Sequence, residues 1–231
     1  MSAPPPEGAF AAALAGLAEV RRRIAAAGGD PAAVRVVAVT KGFSAEAVLA
    51  AAAAGLDDIG ENYARELIDK AAEVGRAAGD LRWHFLGAVQ RNKVKALAPV
   101  VGCWQSVARV EEGRAIAAAA PGATVLVELD VTGQPGRNGV APGEVEPMVE
   151  ALVQLDLDVA GLMTVAPPER EAAARSFATL AALADRLGLP ERSMGMTDDL
   201  ELAVAEGSTM VRVGRALFGD RPPRGDVGSP R

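Results

Sequence analysis

A single-domain (β/α)8 barrel of the TIM type, preceded by an extra N-terminal helix, is the fold the sequence predicts, and three observations carry the prediction. Strand-like and helix-like segments alternate along nearly the whole chain in about eight units of roughly 20–30 residues each. The length of 231 residues suits one α/β barrel, and no long linker divides it. Half of the residues are hydrophobic but only 3% are aromatic, so the core has to be built from Val, Leu, Ile and Ala.

Apolar residues at helical spacing, Leu14, Leu17, Val20 and Ile24, predict a helix over 10–27 that Gly28-Gly29-Asp30-Pro31 stops. The first strand, 34–40, runs into Lys41, and Ser44 reads as the N-cap of a helix that ends near Gly55. A very short second strand at 58–60 is followed by a helix over 63–74, a third strand at 82–87 by a helix over 92–97, and a fourth at 101–106 by a helix over 111–119. Residues 123–131 alternate and are β-branched, which makes them the clearest strand; a Gly/Pro loop and a helix over 145–154 come next. The sixth strand, 159–164, precedes the longest later helix, 169–187. Strands at 192–196 and 210–214 complete the count, with a short helix over 200–206 between them. Residues 1–8 are expected to be a flexible N-terminus, 9–220 the barrel, and 221–231, rich in Pro, Gly and Arg, a disordered tail.

The net charge of −6 and a pI near 5.0 exclude a general nucleic-acid binder, which needs a basic face for phosphates. Apolar stretches are short and interrupted by charge, and Pro4-Pro5-Pro6 stands where a signal peptide would have its apolar run, so neither a membrane span nor a leader is expected. Cys103 is the single cysteine, which rules out an internal disulfide or a cysteine metal cluster and fits a cytoplasmic protein. His84 is the single histidine and lies mid-strand, where a hydrogen-bonded core role is expected; a histidine-based triad or zinc site would have to be built around it alone. Asp198-Asp199 and Glu61-Asn62 read as helix starts, and no metal site is expected.

The chemistry is concentrated at strand ends. Among 24 basic residues only Lys41, Lys70, Lys93 and Lys95 are lysines. An amine can lose its proton and form an imine, which a guanidinium cannot, so a lysine closing an apolar strand is a candidate nucleophile. Barrels bind ligands at the C-terminal ends of their strands, a rule that gathers Lys41, Asn62, Gly87, Ser106, Thr164, Thr197 and Gly214 around one mouth. The loops after strands seven and eight often hold phosphate; here they contain Gly195, Thr197 and Gly214, with the glycines allowing close backbone approach. No GxxxxGK[ST] and no strand-following GxGxxG is present. An imine-forming amine facing a phosphate cradle points to pyridoxal 5′-phosphate, and Arg212 is the candidate partner for its pyridine nitrogen.

The segments Ala38-Val39-Thr40-Lys41, Gly60-Glu61-Asn62-Tyr63, Trp83-His84-Phe85-Leu86-Gly87 with Gln90, Asn92 and Lys93, Gly161-Leu162-Met163, Ser193-Met194-Gly195-Met196-Thr197-Asp198-Asp199, and Gly207–Gly214 together resemble, in the same order, the pyridoxal phosphate homeostasis protein family. The resemblance covers residues 14–221 and implies a barrel like the N-terminal domain of bacterial alanine racemase. It further implies a Schiff base on Lys41, Arg212 facing the pyridine nitrogen, phosphate held by Thr197 with the Gly214 and Arg215 backbone, and Asn62 close to the ring. Members are understood to buffer and deliver the cofactor in vitamin B6 metabolism without robust catalysis, so no catalytic residue is assigned. The chain departs from the family pattern at Gly42-Phe43, at Ala108 and at Arg137, the last removing a lysine that could have passed the cofactor on.

The partners this implies are pyridoxal phosphate and cofactor-dependent apo-enzymes, with no nucleic acid and no membrane, and the chain is expected to be a monomer or weak dimer. The rival reading is a low-activity amino-acid racemase on the same barrel. Racemisation needs an acid or base on each ring face, and Tyr63, the sole tyrosine, lies in the second unit.

Overall fold

Parallel strands close into a barrel in chain order: β1 (Arg35–Val39), β2 (Asp58–Glu61), β3 (Arg82–Phe85), β4 (Val101–Val107), β5 (Thr124–Glu128), β6 (Asp158–Met163), β7 (Glu191–Ser193) and β8 (Met210–Val213). Each pairs with its sequence neighbours, and β1 closes on β8 with Val37 opposite Arg212. The structure is a computed structural model that describes residues 7–75, 79–133 and 136–221. Around the barrel lie α1 (Glu7–Ala26), α2 (Ala45–Ala53), α3 (Ala64–Val74), α4 (Arg91–Leu97), α5 (Val110–Ala119), α6 (Val145–Val153), α7 (Arg170–Leu187), α8 (Leu200–Ala205) and α9 (Arg215–Phe218). The expected single-domain (β/α)8 barrel with its added first helix is therefore the observed fold.

Strand alternation produces two cores. Outward-facing Val36, Ala38, Ile59, Trp83, Phe85, Trp104, Val125, Leu162, Val211 and Val213 join helix residues such as Leu17, Val48, Leu67, Ile116 and Phe177 in one large cluster. Cys103, Leu126 and Met163, of the opposite parity, form a small separate cluster inside the barrel. The same inward register carries His84, Gln105 and Arg212, so the barrel interior is partly polar. The Cys103 thiol is pushed up to about 12 by burial and stays protonated.

The last four-residue helix, α9, was not marked by periodicity because it is too short to show one. It packs against α1. Ser44 stands at the N-cap of α2 as expected but makes no side-chain cap bond. Of the terminal segments, residues 1–6 and 222–231 lie outside the described residues, whereas Glu7 and Gly8 already belong to α1 and Arg221 reaches the barrel mouth. Among the described residues no helix is long and apolar enough to cross a membrane.

Candidate functional site

A cavity of about 230 Å3 opens at the C-terminal ends of the strands. Its wall contains Lys41, Asn62, Thr197, Arg212, Gly214 and Arg215 together, with Val39, Leu86, Met163 and Val165 as apolar surface and Asp198, Met196 and Arg221 at the edge. These six polar positions come from four different loops or strand ends, separated by up to 174 positions in sequence between Lys41 and Arg215. Barrel closure is what brings them together.

Lys41 follows β1 and is half-buried, and among the described residues it has no ion-pair partner. Burial holds its ammonium below the usual lysine range, and the positive charges of Arg221 and Arg212 push it further down, against a weaker pull from Glu61. A depressed amine has a larger neutral, nucleophilic fraction at neutral pH. Removing one of the neighbouring cations makes the proton easier to keep, so the Arg221→Gln variant should move the amine's titration upward. The pH profile of condensation with a small aldehyde should reach its half-maximum below 10.5 in the natural chain and at a higher pH in the variant. An unchanged or lowered midpoint would show that Arg221 does not face the amine.

The backbone beneath Lys41 is held by a buried pair. Lys70 Nζ donates to Glu61 Oε1 at 2.5 Å and to the Thr40 carbonyl at 2.7 Å, and Thr40 Oγ1 donates to the same Glu61 oxygen at 2.7 Å. Glu61 is fully buried, and burial raises its carboxyl despite the Lys70 charge. Its expected role at a helix start is thus replaced by a structural one: the side chain points back under β1 because it closes β2 on the inner side of α3. Gly87 has a structural role too. A Cβ there would lie 1.9 Å from the Asn62 carbonyl oxygen, so glycine is required for the two loops to approach.

Arg212 is 5% exposed, and its fork is fixed on the barrel side by bonds from Nη1 to Ser193 Oγ at 2.8 Å and from Nη2 to the Thr164 carbonyl at 2.7 Å. Burial pushes it down to about 10, opposed by Asp199 and Glu128, so it remains charged at neutral pH. Across the mouth, Arg23 of α1 donates to the Thr197 carbonyl at 2.8 Å and pairs with Glu201, pinning the loop after β7 to α1. Arg215 pairs with Asp198. Lys41, Arg212, Arg215 and Arg221 outweigh Asp198, which gives a positive mouth on an acidic protein.

Three mouth residues expected from the strand-end rule lie outside the cavity lining. Ser106 Oγ donates to the Gly87 carbonyl, Thr164 Oγ1 donates to the Leu129 carbonyl at 2.8 Å, and Gly87 is taken up by the Asn62 approach. Gly195 is needed for packing, because its φ is +93 and a Cβ would meet Ala203 at 2.6 Å. Asp198 and Asp199 do not cap α8 through their side chains; Asp199 Oδ1 accepts from the Met196 N–H at 2.5 Å. No group of His, Cys, Asp or Glu suited to a metal is present among the described residues. Sequence reasoning missed Arg221, Arg23 and the Glu61–Lys70 pair; only the scarcity of lysine hinted at the last.

Residues 14–222 match the family described as alanine racemase, N-terminal domain. A Pseudomonas aeruginosa protein named pyridoxal phosphate homeostasis protein is 41% identical over 92% of this chain and 94% of its own. The structure of PipY of Synechococcus elongatus with PLP bound superposes with a TM-score of 0.74 at 32% identity, over 87% of this chain and all (100%) of that one. An alanine racemase from Clostridium difficile shares the fold at a TM-score of 0.71 and 18% identity, covering 90% of this chain but 58% of the enzyme. The ordered motifs, the closed barrel and these likenesses over nearly the full length agree: the chain belongs to the pyridoxal phosphate homeostasis protein family, on the barrel of the alanine racemase N-terminal domain.

Proposed function

We propose that this chain binds pyridoxal 5′-phosphate in the mouth cavity, attached covalently to Lys41, and serves intracellular vitamin B6 homeostasis as a buffer or carrier. The observation that carries this reading is the meeting, in one cavity, of a depressed amine with Arg212, Arg215 and Thr197. The volume of about 230 Å3 suits a single substituted ring better than a dinucleotide. Asn62 adds a fit of its own: its Oδ1 is buried without a hydrogen-bond partner among the described residues and can accept from a ligand hydroxyl.

Pyridoxal phosphate supplies an aldehyde and, when its ring nitrogen is protonated, an electron sink. Lys41 Nζ provides the attachment point, and condensation with the aldehyde releases one water. Thr197 Oγ1, the N–H groups of Gly214 and Arg215, and the Arg215 charge hold the phosphate end. Arg212, which keeps its proton at neutral pH, donates to the ring nitrogen and leaves it unprotonated, so the ring is bound well and used weakly.

The racemase reading is opposed by Tyr63. The sole tyrosine is 51% exposed and lines not the mouth cavity but a neighbouring one, with Arg65, Gln90 and Lys93, that shares Asn62 with it. With no tyrosine over the second ring face, D- and L-alanine should interconvert far more slowly than about 1 per second in the loaded protein; turnover at that rate or faster would establish an enzyme. The carrier role is tested by mixing loaded protein with a cofactor-free pyridoxal phosphate enzyme. Recovery of that enzyme's activity faster than the cofactor dissociates into solution supports delivery, and recovery at the dissociation rate leaves the protein a buffer alone.

A further inference from the structure

Five side chains on five strands form a continuous line of hydrogen bonds through the barrel interior. Arg212 Nη1 meets Ser193 Oγ at 2.8 Å, Ser193 Oγ meets Gln105 Oε1 at 2.6 Å, Gln105 Nε2 meets His84 Nδ1 at 2.7 Å, and His84 Nε2 meets Asp58 Oδ1 at 2.7 Å. The four members from Arg212 to His84 are buried. Asp58 opens β2, and it lies with Arg35 and Glu191, the first residues of β1 and β7, at the barrel end opposite the cavity.

The two ends of the line and the orientation of the Gln105 amide assign the donors in it. A guanidinium only donates, so Ser193 Oγ accepts from Arg212; the Gln105 amide nitrogen is turned to Met210 Sδ and His84, which leaves Gln105 Oε1 to accept the Ser193 hydrogen. The amide nitrogen of Gln105 then faces His84 Nδ1, which must accept. A carboxylate only accepts, so His84 Nε2 carries the hydrogen and gives it to Asp58. Both ends require the same neutral imidazole with hydrogen on Nε2. Burial, which lowers the His84 titration despite Asp58, favours that form. All bonds therefore point one way, from the cavity to the Asp58 carboxylate, and bonds aligned in this manner polarise one another in a low-dielectric interior.

Resting on the proposed cofactor reading, we infer that Ser193, Gln105, His84 and Asp58 position Arg212 toward the ring nitrogen of bound pyridoxal phosphate, so that retention of the cofactor is set in part from the opposite end of the barrel. These are positioning residues and touch no ligand. Asp58 supplies a charge where the line ends, and Gln105 is the link whose two ends cannot both be replaced by an apolar side chain. Glu191 sits at the same barrel end and pairs with Arg35 but is no member of the line.

The test uses the full chain, two ligands and one NMR signal. The ligands are pyridoxal phosphate and its analogue with the ring nitrogen replaced by C–H. Asp58→Asn should weaken pyridoxal phosphate by on the order of threefold while leaving the analogue's affinity unchanged, and Glu191→Gln should affect neither. Because His84 is the only histidine, its ring 15N signals are assigned without ambiguity. Loading with pyridoxal phosphate should shift them in the natural chain, and the shift should disappear in Gln105→Leu. Equal weakening of both ligands by Asp58→Asn, no weakening of either, or an imidazole unmoved by loading would overturn the inference while the proposed function stood. Failure of the natural chain to bind pyridoxal phosphate would overturn both.

Discussion

Replacing Lys41 with alanine is expected to abolish the visible imine band formed with pyridoxal phosphate and to lower its affinity by on the order of a hundredfold, about 2.8 kcal/mol. Residual binding should persist and compete with inorganic phosphate, because Thr197, Gly214 and Arg215, which line the same cavity, are proposed to hold the phosphate end independently of the amine. Spectral titration of the purified variant reads both quantities. Stability should change little, since Lys41 has no ion-pair partner among the described residues and its ammonium is disfavoured by burial and by Arg221 and Arg212. A variant that keeps the band would place the attachment elsewhere.

Lys70→Met should produce the largest loss of stability from a single side chain near the site. Methionine preserves most of the stem's volume, so the change isolates the charge. Glu61, 0% exposed, would be left as a buried carboxylate without its cation, and breaking such a pair costs about 3–5 kcal/mol. The sign of the pH dependence follows from the Glu61 titration, which burial already raises in the folded chain. A carboxyl that binds its proton more readily folded than unfolded favours folding at lower pH and loses that contribution as pH rises through its folded value. Denaturant unfolding should therefore find the variant's deficit larger at alkaline pH than in mild acid, and Glu61→Gln added to Lys70→Met should recover much of it. A deficit independent of pH would mean that Glu61 stays ionised throughout. The variant should also loosen Lys41, because the Thr40 carbonyl loses the Lys70 bond.

Much of this architecture is legible in the sequence because it rests on local periodicity. The alternation of short apolar strands with amphipathic helices is written into each unit, and even the four-residue β2 is revealed by what flanks it. The six cavity residues could be named because barrel geometry sends every strand's C-terminal end to one place, and the motif resemblance singled out which of those ends matter. What escaped is chemistry between positions with no local pattern. Thr164 and Ser106 have the right address but spend their hydroxyls on backbone carbonyls. Glu61 looks like part of a helix start and Lys70 like an ordinary charge within α3 until the strand turns the carboxylate inward. Arg221 falls in a segment whose composition suggests disorder, yet it lies against the cavity beside Gly42. The line from Arg212 to Asp58 spans five strands and 154 positions, and no pairwise spacing in the sequence announces it.

In the proposed function one amine, that of Lys41, holds the cofactor. Pyridoxal phosphate added to the natural chain, followed by borohydride reduction and peptide mapping, should yield a single stoichiometric adduct on the peptide containing Lys41. An adduct on a peptide carrying Lys70, Lys93 or Lys95, or no covalent adduct at all, would contradict it.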